Sequence, residues 1–380
     1  MIEVAVATAL IACAHIFHGQ RLTRAFLRAH RAEYSANTEI VGVEKASVIV
    51  CIRNGAAQWP KLWEKLRRQR ASFPFEVVVV DDGSTDATPQ LLDAARGEVD
   101  APELRVVRLE DSAPGKKDAQ TLGVHHAQGD WLLFTDVDCI PSGDHWLASM
   151  LEPAASGAEV VLGISWPALN NPSTGLQRMQ ALDAMHIARS YVGWAQLGHP
   201  YMAVGRNFAM RACRFPKHVA ARHLASGDDD MAVQQLAHET DAKFASVIHR
   251  DGQADTVLPT TWVNWRKQKR RHWSTAPHYA AADQVRLLFP LGLNLALLLG
   301  SIAVIWTGVA HGVLHIALWI TGGLLGCVWM MEVRNFRIIA NACQAASAWN
   351  RLGWLVPLRL GWNAYSAFRM GLSRRNAAEW

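Results

Sequence analysis

The chain has 380 residues, 50% of them hydrophobic and 19% charged, with a formal net charge of +5. That length suits one large α/β domain with membrane segments, or two modest domains. The basic excess sits in runs at 21–31 and 266–271, which suit anionic headgroups or phosphates. No nucleic-acid motif accompanies them, so nucleic acid is not an expected partner. The six cysteines lie scattered without C-x-x-C spacing. This argues against a disulfide framework or a zinc site and for reduced thiols in a cytoplasmic protein.

Residues 2–17 are apolar apart from Glu3, and lack the basic start and small-residue cleavage site of a signal peptide. Arg21, Arg24, Arg28, His30 and Arg31 follow, and the positive-inside rule puts them on the cytoplasmic side. The expectation is an N-terminal membrane anchor helix over 1–20.

Short apolar runs then alternate with helix-like stretches. Residues 47–52, 76–80, 104–109 and 131–135 read as buried strands, and 59–70, 86–95 and 116–127 as the helices between them. Such alternation predicts an α/β domain, here spanning 44–283, with a mostly parallel sheet flanked by helices. Ligands of such sheets bind beyond the carboxyl ends of the strands. Arg53 and Asn54 follow the first strand, Asp81, Asp82, Gly83 and Ser84 the second, and Asp136 and Asp138 the fourth. One acidic residue after a strand, such as Asp86, reads more simply as a helix cap. Three strand ends carrying polar groups predict a shared crevice.

The residue types suggest chemistry. Asp136 and Asp138 offer hard oxygen ligands suited to Mg²⁺ or Mn²⁺, which would neutralise a diphosphate as its bond to a sugar breaks. Gly115 and Lys116 open a helix whose N–H groups suit a phosphate or a sugar hydroxyl. Asp228, Asp229 and Asp230 precede an apolar helix. Like charges so close raise one another's pKa and can poise a carboxylate as a base. Residues 265–273 mix cations with tryptophans. Arg270 or Arg271 there suits a diphosphate leaving group and Trp273 an acceptor wall, and a plain juxtamembrane basic belt is the simpler alternative.

Residues 287–308 carry no charge, and 313–331 are interrupted only by His315. Roughly 20 residues cross the ~30 Å hydrocarbon core, so 286–332 is expected to form a transmembrane hairpin. Arg286, Arg334 and Arg337 at its ends agree with a cytoplasmic domain. Residues 352–372 mix aromatics with Arg351, Arg359 and Arg369, the makeup of a helix lying in the interface. The expectation for 338–380 is interfacial or membrane-associated helices; a further span is disfavoured because Arg359 would sit near its middle.

Taken in order, Asp81-Asp82-Gly83-Ser84, Gly115-Lys116, Asp136-Val137-Asp138, Gly205-Arg206-Asn207, the cluster at 228–230 and Gln268-x-x-Arg271 before a membrane hairpin resemble glycosyltransferase family 2. These are inverting enzymes of GT-A fold that include membrane-bound synthases. The resemblance covers about 45–273 and the hairpin. It implies that Asp82, with Asp81, contacts the nucleoside, and that Asp136 and Asp138 serve metal and donor, Asp138 as the direct ligand. It implies that Asp229, with Asp228 beside it where many relatives have Glu, is the general base. Gln268 and Arg271 match the Q-x-x-R-W motif, with His272 in the place of its Trp and Trp273 one residue later. Gly205, Arg206 and Asn207 would meet donor sugar and acceptor. A uridine diphosphate sugar is the family's suggestion for the donor.

The sequence thus predicts a multi-pass protein of the inner (cytoplasmic) membrane, with Arg53, Asp81, Asp82, Lys116, Asp136, Gly205, Asn207, Gln268 and Arg271 binding donor and acceptor. It would move a sugar to a lipid-linked or membrane-proximal acceptor in cell-envelope polysaccharide synthesis. Competing readings are a processive polysaccharide synthase, for which the spans are too few, and a non-catalytic nucleotide-binding scaffold, which would have lost the D-x-D or the base. A nucleotidyltransferase, the remaining alternative, gains no support from the hairpin.

Overall fold

The computed structural model describes residues 1–29, 40–109, 116–169, 172–216, 227–345, 347–359 and 361. Helix α1 (Ile2–Phe26) is followed by a βα alternation: β1 (Ala46–Ile52), α2 (Trp59–Leu66), β2 (Phe75–Asp81), α3 (Thr88–Arg96), β3 (Glu103–Arg108), α4 (Lys116–His126) and β4 (Trp131–Asp136). Then come β5 (Cys139–Pro141), α5 (Trp146–Leu151), β6 (Val160–Leu162), β7 (Ser165–Pro167), α6 (Gly175–Gln196), β8 (Phe208–Arg211), α7 (Asp228–Glu239), β9 (Phe244–Ser246) and β10 (Ala254–Thr256). The chain continues through α8 (Trp262–Trp273), α9 (Ala281–Ala310) and α10 (Leu314–Ala342) to a 3-10 segment, Ser347–Leu355.

The main sheet has the order β3-β2-β1-β4-β8-β6-β9, and β5-β10-β7 form a small second sheet. Strands β1 to β4 are parallel, as the alternation predicts, whereas β8 runs antiparallel to both β4 and β6. Strands β1, β2 and β4 are buried on both faces, which is why they read as nearly unbroken apolar runs; β3, expected to be buried, is instead the half-exposed edge strand, with Glu103, Arg105 and Arg108 among its residues. Successive side chains point to opposite faces. Val48, Val50, Val77, Val79 and Leu133 pack with Leu62, Leu92 and Leu147 on one side. Ile49, Val78, Leu132 and Phe134 pack with Tyr191 and Met231 on the other.

That second core also contains Leu22 and Phe26 of α1, Phe336 and Ile339 of α10, and Trp349, Leu352 and Val356 of the tail. The long apolar helices and the α/β domain are therefore joined by continuous packing. Helices α1, α9 and α10 are each long and apolar enough to cross a membrane. Their bounds differ from the expected ones. Helix α1 runs past residue 20 to Phe26, and the hairpin pair spans 281–342 instead of 286–332, because its polar ends are taken up by protein contacts.

In the tail, Leu352, Val356 and Arg359 are buried while Trp354 and Leu358 are exposed, and Trp349 Nε1 donates to Leu169 O at 2.9 Å. Arg359 Nε lies 3.5 Å from Asp183 Oδ1, so the charge that argued against a span is satisfied inside the protein. The rest of the expected interfacial stretch, 362–380, lies outside the described residues.

One buried charge holds the open side of the sheet. Glu76 on β2 is fully buried, accepts from Ser47 Oγ at 2.7 Å and Gln128 N at 2.6 Å, and sits 3.5 Å from Lys45 and 3.4 Å from Arg105. Burial alone would raise its pKa, but these hydrogen bonds and cations outweigh it and hold the carboxyl below its usual range. A depressed pKa contributes stability that is present above the unfolded-state value and is lost as pH falls through the folded one. Glu76→Gln should cost about 2 kcal/mol near pH 7, and the difference from the parent should shrink on acidification. Thermal melts across that pH range check it.

Candidate active site

The loops after β1 and β2 are stitched together. Asn54 takes a positive φ of 51°, its N–H donates to Ser84 Oγ at 2.9 Å, and its Oδ1 accepts from Thr85 N at 2.8 Å. Asp81 Oδ1 accepts from Ser84 N at 3.0 Å, and Asp82 N donates to Ile52 O at 2.9 Å. Both aspartates are buried, while Arg53 is exposed at the rim. Asp86 serves the fold: it accepts from Thr88 Oγ1, Thr88 N and Ala56 N. The Thr88 hydroxyl is the main reason its pKa is lowered.

Beyond β4, the D-x-D turn is gripped by two sheets. Strand β4 ends at Asp136, and β5 begins at Cys139, which pairs with Thr256 of β10. Val257 N donates to Asp138 O at 3.4 Å. One ligand atom from each of Asp136, Asp138 and Cys139 lies within 4.8 Å of the others. Burial, with the Asp136 charge beside it, pushes the Cys139 thiol well up, and its Sγ lies 3.5 Å from Asp138 Oδ1. The sulfur is thus a protonated donor to the carboxylate. Two half-buried carboxylates remain as the donor set, which fits a hard divalent cation such as Mg²⁺ or Mn²⁺.

The segment before β8 links this turn to the acidic cluster. A Cβ added at Gly205 would stand 2.6 Å from Asp229 Oδ2, so only glycine lets the backbone approach that carboxylate. Next along, Arg206 Nε donates to Ser165 Oγ at 2.9 Å, and its charge acts on Cys139 beside the D-x-D. Gly205, Arg206, Asp229 and the Asp136–Cys139 turn therefore share one end of the sheet.

Asn207 requires a correction. It is fully buried, its Oδ1 accepts from Trp146 Nε1 at 2.9 Å, and its Nδ2 donates to Ile164 O at 2.7 Å and Gly252 O at 3.0 Å. Its polar atoms tie three segments together and face no ligand. Asp230 is likewise turned inward, accepting from Tyr279 Oη at 2.6 Å. Only Asp229 of the described acidic side chains is half-buried beside Gly205. Gly115 and the side chains of Lys116 and Asp228 lie outside the described residues.

Helix α7 is fastened to the chain entering α9. Besides the Tyr279–Asp230 bond, Ala280 N donates to Gln234 Oε1 at 3.1 Å, and His238 Nε2 lies 2.8 Å from Asp283 Oδ2. Asp230, Gln234 and His238 are spaced four apart and so face one side. Gly227, at φ 91°, precedes the helix where any side chain would overlap the buried Thr275. Helix α8, capped by Thr261, presents Gln268 half-buried and Arg271 exposed. It is anchored by Lys269, which pairs with buried Asp183 of α6. Among the described residues, no contact joins Gln268 or Arg271 to the Asp136–Asp138 turn. Sequence reasoning missed Asp183, Lys269, Gln234 and Tyr279. The four-residue spacing of Asp230, Gln234 and His238 was the only signal available.

The profile of the family described as Glycosyl transferase family 2 matches residues 47–213, from β1 to just past β8. That stretch of the chain is similar to family 2 glycosyltransferases. The chain is 37% identical over 97 residues to the poly(ribitol-phosphate) beta-N-acetylglucosaminyltransferase TarS of Staphylococcus aureus, covering 25% of this chain and 16% of TarS. It is 40% identical over 94 residues to a PGL/p-HBAD biosynthesis glycosyltransferase of Mycobacterium bovis, covering 24% of this chain and 34% of that protein. The chain thus spans well under half the length of these relatives. The GT-A fold extends further. A mannosyltransferase of Pyrobaculum calidifontis, solved with GDP-Man and Mn²⁺, superposes over 91% of this chain and 98% of its own, with TM-score 0.57 and 18% identity.

The α/β domain depends on Asn207 as a joint. Asn207→Ala strands one donor and two backbone acceptors in the core, and should cost about 3 kcal/mol of stability. Ligand affinity of the fraction that stays folded should be unchanged. Denaturant unfolding and binding, measured on the same sample, separate the two.

Proposed function

We propose that the protein is a membrane-bound inverting glycosyltransferase that moves a sugar from a nucleotide-sugar donor to a lipid-linked or membrane-proximal acceptor. The observation that carries the transferase part is a D-x-D turn at the carboxyl end of β4 together with Asp229 packed against Gly205, next to Arg206, whose charge reaches Cys139 in that turn. The membrane part rests on α7. Its first turn holds Asp229, and its last turn meets Asp283 in the first turn of α9. From Asp230 to His238 is about 12 Å of helix. A base carried that close to a membrane-length helix suits an acceptor that itself sits in the membrane. The accompanying orientation is an inner-membrane protein with its catalytic domain cytoplasmic, in keeping with the basic residues 21–31 and Arg286.

In this reading Asp81 and Asp82 form the nucleoside end of the crevice, and Arg53 lies at its rim. Asp136 and Asp138 would hold the divalent cation, which would supply charge neutralisation at the donor diphosphate. Asp229 takes the proton of the acceptor hydroxyl, whose oxygen attacks the anomeric carbon on the face opposite the leaving diphosphate. Arg271, exposed on α8 with Gln268 one turn before it, suits the departing phosphates. One in-line displacement inverts the anomeric centre and needs no covalent intermediate. A uridine diphosphate sugar, suggested by the resemblance to the family, is the first donor to try, and GDP-Man, with which the Pyrobaculum mannosyltransferase was solved, is the second.

Asp229→Asn keeps size and packing against Gly205 but removes the base. It should lower turnover by about two to four orders of magnitude while donor affinity stays near the parent's. Asp138→Ala should instead weaken donor binding measured with Mn²⁺ and leave metal-free binding unchanged. Calorimetry with donor, with and without metal, alongside initial rates checks both. Equal metal-dependent affinity in Asp138→Ala and the parent would remove the cation assignment.

A further inference from the structure

Helix α1 has a face that the transferase reading does not use. Val6, Leu10 and Phe17 are 54%, 66% and 67% exposed. At 3.6 residues per turn they fall, with Arg21 and Arg24, within an arc of about 100°. Leu27 N donates to Thr23 O and Arg28 N to Ala25 O, so the helical path carries Arg28 onto the same stripe. An apolar strip along one helix side thus runs without interruption into a row of three arginines.

The polar end of the stripe is built, not frayed. A groove of about 300 Å³ lies between the α1 arginines and Leu197, floored by Ala25 and bordered by Phe17. Arg21 is held over the Trp194 ring, its guanidinium carbon 5.5 Å from the centroid, and Arg286 approaches the same indole at 5.6 Å. Cation–π contact fixes these arginines where α1, α6 and α9 meet. Among the described residues, no carboxylate lies within ion-pairing distance of Arg21, Arg24 or Arg28. Three guanidiniums with no ion pair among the described residues suit an anion. A strip of exposed apolar side chains directly below them suits a hydrocarbon chain.

The geometry points to a binding site for one acidic phospholipid on α1, its phosphate on Arg24 and Arg28 and its acyl chain along Phe17, Leu10 and Val6. Arginine suits phosphate because its fork of N–H donors matches two phosphate oxygens. The lipid would fasten the cytoplasmic end of α1, whose Leu22 and Phe26 pack into the core of the α/β domain. This inference rests on the membrane placement of α1 and is independent of the sugar-transfer chemistry.

Native mass spectrometry of the full chain, released from detergent with either phosphatidylglycerol or phosphatidylcholine, reads the site directly. The parent should retain phosphatidylglycerol preferentially. Arg24→Gln combined with Arg28→Gln should weaken that retention roughly thirtyfold, to the level of phosphatidylcholine. Arg24→Lys with Arg28→Lys, which keeps the charge, should keep most of it. The paired substitution Arg266→Gln and Arg270→Gln, on the exposed face of α8, should leave it unchanged. Equal retention of the two lipids by the parent overturns the proposal, and so does an Arg24→Gln, Arg28→Gln protein that still prefers phosphatidylglycerol. Inorganic phosphate binding the parent as tightly as the lipid would show an anion site without a chain site and overturn the lipid assignment. A chain that stays soluble without detergent and retains neither lipid would overturn the membrane placement itself, with donor binding left to test the transferase reading separately.

Discussion

The buried hydrogen bond from Tyr279 to Asp230 is the contact on which the rest depends. It joins the helix that carries Asp229 to the segment that becomes α9, and its environment makes it strict. Burial and the Asp230 charge push the Tyr279 hydroxyl far above its usual pKa, so the phenol remains a donor. Gln234 to Ala280 and His238 to Asp283 continue the seam, and Gly227 against Thr275 closes its upper end. A helix seamed over its whole length cannot rotate, so the orientation of Asp229 towards Gly205 follows from contacts three turns away. Misplacement of a reacting group by about 1 Å can cost a hundredfold in rate, and such a seam is how a fold avoids it.

Buried ion pairs repeat this logic in the layers between domain and apolar helices. Arg189 of α6 meets Glu332 of α10 at 2.8 Å, and Asp183 of α6 meets Lys269 of α8 and Arg359 of the tail. Desolvating these groups is expensive, and their mutual attraction does little more than offset it. Their effect is on register. An unpaired charge left in the core costs several kcal/mol, so helices α6, α8 and α10 are confined to the one arrangement that pairs all of them. Lys269 lies next to Gln268 in sequence, which means that the anchor of α8 also sets which face of that helix turns outward.

The parallel half of the domain was legible in the sequence because its signal is strong and local. Three apolar runs of strand length and the mixed run that becomes β3, with helices between them, leave little choice of architecture, and β1 to β4 lie within a residue or two of the expected bounds. The strands from β5 onward, all of three or four residues, carry too short a pattern to stand out from loops. The D-x-D turn was legible for the same reason as the strand before it. Asn207 was not, since a buried asparagine and a ligand-binding one look alike until Trp146, Ile164 and Gly252 are brought to it. The acidic run at 228–230 concealed a division of labour, with Asp230 turned into the seam and Asp229 towards the crevice. The burial of Arg359 was not legible because its partner, Asp183, lies far away along the chain. Glu76 drew no attention inside an apolar strand for a similar reason: its partners come from β1, β3 and the end of α4.

The account's central claim is sugar transfer at a membrane surface. The most direct test uses the full chain in its native membranes, given a panel of radiolabelled nucleotide sugars with Mn²⁺. The partition of label between organic and aqueous phases is then followed. The account predicts that label from one donor moves into the organic-extractable fraction and that chelating the metal stops it. Label that stays wholly on the nucleotide, in membranes shown to contain folded protein, would contradict the transferase reading. Label that passes only to water-soluble products would contradict the membrane acceptor.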